Sequence, residues 1–132
     1  MTELRVAIGR ESDIVMARQK GRELAAARGF SKTEQTLIAT AISEVARNII
    51  EYAGAGEVVL EAVDSGGRRG IVVIARDNGP GIAEPALAMR DGYSTGNSLG
   101  MGLPGAKRLM DELALTSTLG VGTTVTMKKW VR

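Results

Sequence analysis

Between Asp77 and Gly102 the sequence offers little to a helix or a strand. Glycines fall at Gly79, Gly81, Gly92, Gly96, Gly100 and Gly102, prolines at Pro80 and Pro85, and only the run at 84–90 (EPALAMR) has helical character. A loop this long inside a small domain is uncommon unless it binds something or covers a site. With 132 residues in all, the segments on either side must share one core, and the length predicts a single domain over 1–132.

Those flanking segments read clearly. Leu4, Val6 and Ile8 alternate with polar or small residues, as in a short strand. Ser12 is a candidate N-cap for a helix that stops at Gly29, and Ser31 with Glu34 forms a capping-box pattern for a second helix. That second helix is expected to reach about Tyr52 and end at Gly54. Residues 57–63 and 70–76 are rich in Val and Ile and flank DSGGRR, which predicts an antiparallel hairpin. The segment 103–113 (LPGAKRLMDEL) predicts a third helix, with Pro104 tolerated in its first turn. Residues 115–119 and 123–131 predict two more strands around Gly120-Val121-Gly122. This order of elements suits an α+β chain folded as a two-layer α/β sandwich.

Composition narrows the chemistry. Aromatics are 3% of the chain, too few for a binder that stacks nucleic-acid bases, and the net charge is only +2. The basic end, Lys128-Lys129 with Arg132, is too small to imply DNA or a membrane surface. There is no Cys and no His, which removes thiol nucleophiles, disulfides, imidazole bases and a phosphohistidine relay within this chain. No apolar run reaches membrane-spanning length and the start is unlike a signal peptide, so a cytoplasmic protein is expected.

On the second helix, at 100° per residue, Ile38, Ala41, Ile42, Val45 and Ile49 share a broad apolar face. Glu44 and Asn48 are four apart and stack at its margin, whereas Ser43 and Arg47 are expected on the more polar side. A carboxylate and an amide at the edge of a buried face need partners. Either they belong to a structural hydrogen-bond network, or Asn48 offers an oxygen to Mg²⁺ and Glu44 accepts a proton from an attacking hydroxyl.

The glycine turns supply complementary pieces. Asp77 ends a Val/Ile-rich run and is followed by Asn78-Gly79-Pro80-Gly81-Ile82, which sets a carboxylate at the mouth of a tight turn. Such a carboxylate can accept from an exocyclic amine like that of adenine. Gly100-Met101-Gly102-Leu103 precedes a helix, where free backbone N–H groups and the helix dipole favour an anion. No Gly-Lys-Ser/Thr follows, so this is not a Walker A loop.

Taken together, these motifs resemble the GHKL ATPases of the Bergerat fold: an N-box at Glu44-Val-Ala-Arg-Asn48, a first glycine box at Asp77-Asn-Gly79-Pro-Gly81-Ile82, and a second at Gly100-Met101-Gly102-Leu103. Gly122-Thr123-Thr124-Val echoes the last strand of that superfamily, where a Thr lies near the base-binding Asp. The resemblance implies a mixed, largely antiparallel sheet with helices on one face and an ATP lid at about 83–99. It further implies that Asp77 contacts adenine, Asn48 coordinates Mg²⁺, the region of Gly100 and Gly102 holds phosphates, and Glu44 is the general base.

The stretches AISEVARNI, DNGPGI, DGYST and GLPGAKRLMDE are most similar to the small bacterial serine/threonine kinases of the anti-sigma and stressosome group, in particular the RsbT-type switch kinases. That likeness implies γ-phosphate transfer from ATP to Ser or Thr of STAS-domain partners, followed by activation of a PP2C-type phosphatase. A sigma-factor-binding module of the same fold is the alternative. One departure stands out: kinases of this group often carry an Arg just before the second glycine box, where this chain has Asn97-Ser98-Leu99. Either Lys107, Arg108 or a partner is expected to supply the missing charge, or catalysis is expected to be intrinsically modest until a partner docks.

Overall fold

The computed structural model describes residues 3–81 and 102–132. The lid at 83–99, the run at 84–90, Asn97-Ser98-Leu99 and the site candidates Ile82, Gly100 and Met101 lie outside the described residues. The elements are β1 (Glu3–Ile8), α1 (Glu11–Ala27), α2 (Lys32–Ala53), β2 (Gly56–Ser65), β3 (Arg68–Asp77), α3 (Gly102–Leu109), β4 (Glu112–Thr118) and β5 (Gly122–Trp130). Their order is the expected one. The sheet runs β1-β2-β3-β5-β4, and every described neighbouring pair is antiparallel, so the sheet is more uniform than the mixed one expected.

Strand register organises the core into rows that cross all five strands. Leu4, Leu60, Val73, Met127 and Leu113 form one row, and Val6, Val58, Ala75, Val125 and Leu115 the next. These apolar rows face the helices and join Ile38, Ala41, Ile42, Val45 and Ile49 of α2 in one core. Gly21 lets α1 pack tightly on α2, since a Cβ there would meet Ile42 Cδ1 at 2.1 Å. A mid-helix glycine costs about 1 kcal/mol against alanine, and the close packing of the two helices offsets it. The opposite sheet face carries Arg5, whose guanidinium pairs with Glu3 and Glu57, while Arg76 also reaches Glu57. These exposed pairs add little stability.

Three local expectations need correction. The first helix starts at Glu11 rather than after Ser12, because the Asp13 carboxylate accepts from the Gly9 and Arg10 N–H groups at 2.9 and 3.1 Å and organises the entry two residues early. Ser43 is buried, at 7% exposure, rather than on the polar side. Because α2 packs against α1, α3 and the sheet, its buried arc is wider than one apolar stripe, and the Ser43 hydroxyl is satisfied by the Ala39 carbonyl at 3.0 Å. The third helix ends at Leu109, not Leu113, and β4 begins at Glu112. Asp111 binds β5 instead of continuing the helix: its N–H donates to the Lys128 carbonyl and its carboxylate accepts from the Trp130 N–H. Buried Lys129 then donates to the Leu109 carbonyl at 3.0 Å, a cation at the negative end of α3. The other boundaries follow expectation, including the reciprocal Ser31–Glu34 bonds and Gly54 at the end of α2.

Candidate functional site

The third row across the sheet differs from the two beneath it. It reads Ile8, Gly56, Asp77, Thr123 and Ser117, so the helix-facing side of the sheet turns polar at this end over β3, β5 and β4. Asp77 is the last residue of β3, half-buried, with Oδ1 accepting from the Gly79 N–H at 2.9 Å. That bond folds the first glycine box back over the strand end and holds the carboxylate in one orientation. Beside it the Thr123 and Ser117 hydroxyls lie 2.8 Å apart, and Ser117 also donates to the Gly122 carbonyl at 3.2 Å. Asp77 lines two open clefts at this end of the sheet, one of about 650 Å³ with Ala53, Gly56, Glu57 and Arg76 and one of about 190 Å³ with Ser117 and Thr123.

Close backbone approach explains the glycines here. A Cβ on Gly79 would meet Ala53 Cβ at 2.5 Å, so the turn lies against the end of α2. A Cβ on Gly122, whose φ is +148°, would meet the Asp77 carbonyl oxygen at 2.1 Å. Gly81 sits against the Thr118 backbone, and the Pro80 carbonyl accepts from the Gly120 N–H at 2.8 Å, tying the box to the β4–β5 turn. We expect Gly122→Ala to push β5 away from Asp77. Overpacking and backbone strain should cost about 2 kcal/mol, lowering Tm by roughly 6–10 °C for a chain of this size. Thermal unfolding checks this, and an unchanged Tm would refute the close approach.

The second pole lies on α2. Glu44 is 13% exposed at its side chain, and its Oε1 accepts from the Gly102 N–H at 3.0 Å. Gly102, the third residue of the second glycine box, opens α3 with φ +53°, so the first amide of that helix points at the N-box carboxylate. Asn48 is half-buried one turn further along. Arg47 Nη1 lies 3.4 Å from Glu44 Oε2. Leu103 has its side chain in the core at 5% exposure, which leaves its backbone as the part able to face a ligand.

The long helix joins the two poles. Gly79 touches α2 at Ala53, nine residues after Glu44. At 1.5 Å per residue, the poles are about 13 Å apart along the helix. Among the sequence-predicted residues, Asp77, Gly79, Gly81 and Thr123 gather at the sheet end, and Glu44, Asn48 and Gly102 at the α2–α3 contact. Sequence reasoning missed Ser117. Its signal is a polar residue in the inward phase of β4 that Leu113 and Leu115 otherwise fill, which acquires meaning only once β4 is known to flank β5.

The chain matches the histidine kinase-like ATPase domain family over residues 10–129. It belongs to that family. Within it, the chain is 51% identical to the serine/threonine-protein kinase RsbT of Bacillus subtilis (strain 168) over 127 residues, covering 96% of each protein. It is also 36% identical over 100 residues to the anti-sigma F factor of a Thermoanaerobacter species, covering 71% of this chain and 68% of that one. Among solved structures, the RsbU and RsbW domains of a Mycobacterium tuberculosis protein superpose with a TM-score of 0.68 at 21% identity. That match covers 98% of this chain, which spans 32% of the mycobacterial one. The mycobacterial sensor histidine kinase MprB gives 0.58 at 14% identity, with 99% of each chain covered. At these identities the two structures speak for the ATPase-domain fold, which is the α+β architecture expected. Among the described residues of this family member, no helix is long and apolar enough to cross a membrane.

Proposed function

We propose that this chain is an ATP-dependent serine/threonine protein kinase acting in the cytoplasm. Its substrates would be Ser or Thr side chains of STAS-domain partners in a bacterial stress-signalling switch, and a PP2C-type phosphatase would be its next partner. The observation that carries this reading is the contact between Glu44 and the Gly102 N–H, which puts a carboxylate at the start of a glycine-led helix. Support comes also from the 51% identity with a serine/threonine kinase of nearly the same length.

The groups present fit Mg·ATP. Acceptors at Asp77 and Thr123 suit an exocyclic amine at the base end, and the glycines let the first box pack against the end of α2 and the β4–β5 turn, which fixes the Asp77 carboxylate. At the other end, an amide oxygen on Asn48 suits a cation that is held by few protein atoms and otherwise by phosphates. When bound, Mg²⁺ would supply charge neutralisation at the phosphates.

In the reaction, Glu44 orients the partner hydroxyl and accepts its proton as oxygen bonds to the γ-phosphorus. The bond from that phosphorus to the β–γ bridging oxygen breaks, and ADP leaves with the electron pair. The Gly102 amide and the dipole of α3 stabilise the charge that moves onto phosphoryl oxygens. Positioning supplies most of the acceleration in such transfers.

The identity with an anti-sigma F factor favours one second reading, a module that sequesters a sigma factor. Incubation with γ-labelled ATP and candidate STAS proteins, and in parallel with sigma factors, separates the two. Label on a STAS Ser or Thr is the expected result. Stable sigma binding without such labelling would replace the kinase reading with the second one.

A further inference from the structure

The Glu44 carboxylate has two described partners, and both are groups that bind anions. The Gly102 N–H donates to Oε1 at 3.0 Å and Arg47 Nη1 approaches Oε2 at 3.4 Å. We infer that Arg47 supplies a γ-phosphate contact of this site, and that the phosphate competes with Glu44 for the two donors that Glu44 engages. The inference rests on ATP occupying the site as proposed above.

Distance carries the argument. A hydroxyl that gives its proton to Glu44 lies within hydrogen-bond reach of that carboxylate, and the attacked phosphorus lies about 3–3.5 Å from the hydroxyl oxygen. The γ-phosphoryl oxygens are therefore within one side-chain length of Glu44, where Arg47 already is. The Arg47 side chain is 35% exposed, so it has room to turn. Lys107 and Arg108, the cations expected from the sequence, sit in the last turn of α3, five and six residues beyond Gly102. That is about 7–9 Å further along the helix axis.

Chemistry agrees with distance. A guanidinium presents parallel N–H groups that match two phosphoryl oxygens, where a Lys ammonium offers a point charge. A γ-phosphate carries more negative charge than a carboxylate, so it competes for both donors. Once they transfer, Glu44 is released to take the hydroxyl proton. In this scheme Arg47 does the work of the Arg that related kinases place before the second glycine box.

Calorimetric titration of the full chain and its Arg47→Ala and Arg47→Lys variants with Mg·ATP and Mg·ADP tests this. Loss of a charged hydrogen bond to the γ-phosphate should lower ATP affinity about tenfold. ADP affinity should hold, so the ATP-to-ADP preference falls by the same factor, and Arg47→Lys should recover part of it. If Arg47→Ala keeps the preference of the parent, whether the two affinities fall together or not at all, the inference is overturned. A parent chain that prefers ATP through Arg47 yet phosphorylates no protein would retain the inference and sink the kinase reading. A parent chain that binds neither nucleotide removes both.

Discussion

Replacing Glu44 by alanine should leave ATP bound and nearly abolish phosphate transfer. The side chain is mostly buried and lies against the first amide of α3, which in the proposed binding mode is the phosphate end of the site and not the base end. Loss of a general base costs about 10²–10⁴ in rate, and single-turnover transfer to a STAS substrate at saturating ATP is where that loss appears. Glu44→Gln refines the result, because its amide oxygen still accepts from the Gly102 N–H but cannot take up a proton. It should be as slow as the alanine variant while keeping the parent's Tm. Transfer at near-parental rate by either variant would remove Glu44 from the chemistry.

The next largest effect is expected at the opposite pole. In Asp77→Asn the side-chain oxygen can keep the bond to the Gly79 N–H, which places the new NH₂ where the second carboxylate oxygen had been. A donor then faces the exocyclic amine of adenine, also a donor. Losing a hydrogen bond to a charged group costs about 1.5–3 kcal/mol, so ATP affinity should fall by roughly 10- to 150-fold. Guanine presents an oxygen at that position, so GTP binding should not fall in parallel, which separates the effect from unfolding. Unchanged ATP affinity would refute the assignment of Asp77 to the base.

Much of the site was legible from residue order because its parts are local. Glu44 and Asn48 are one helical turn apart, so the repeat of α2 alone puts them on one stripe. Asp77 with its following glycines is a strand end and a turn. Ser43 and Ser117 were not legible, for related reasons. The burial of Ser43 follows from neighbours on several sides of α2, and a single helix gives no sign of how many elements will pack on it. Ser117 stands beside Thr123 only because β4 is the outer neighbour of β5, a pairing that alternation within one strand does not specify. The end of α3 was misjudged for the same kind of reason. The helical pattern continues past Leu109, but Asp111 and Lys129 make long-range bonds that turn the chain into β4.

The glycine-punctuated stretch between Asp77 and Gly102 predicts by composition alone a long loop beside a small core, and its residues 82–101 lie outside those described. The sequence by itself determined the order of elements, the apolar face of α2 and the identity of the carboxylate and amide on its margin, since periodicity and turn chemistry act over a few residues. Only the tertiary structure decided that Gly102 meets Glu44, that Arg47 shares that carboxylate, and that Asp77, Thr123 and Ser117 complete one polar row above two apolar ones. Those contacts join residues from separate elements, and their partners are chosen by strand register and helix packing rather than by local preference.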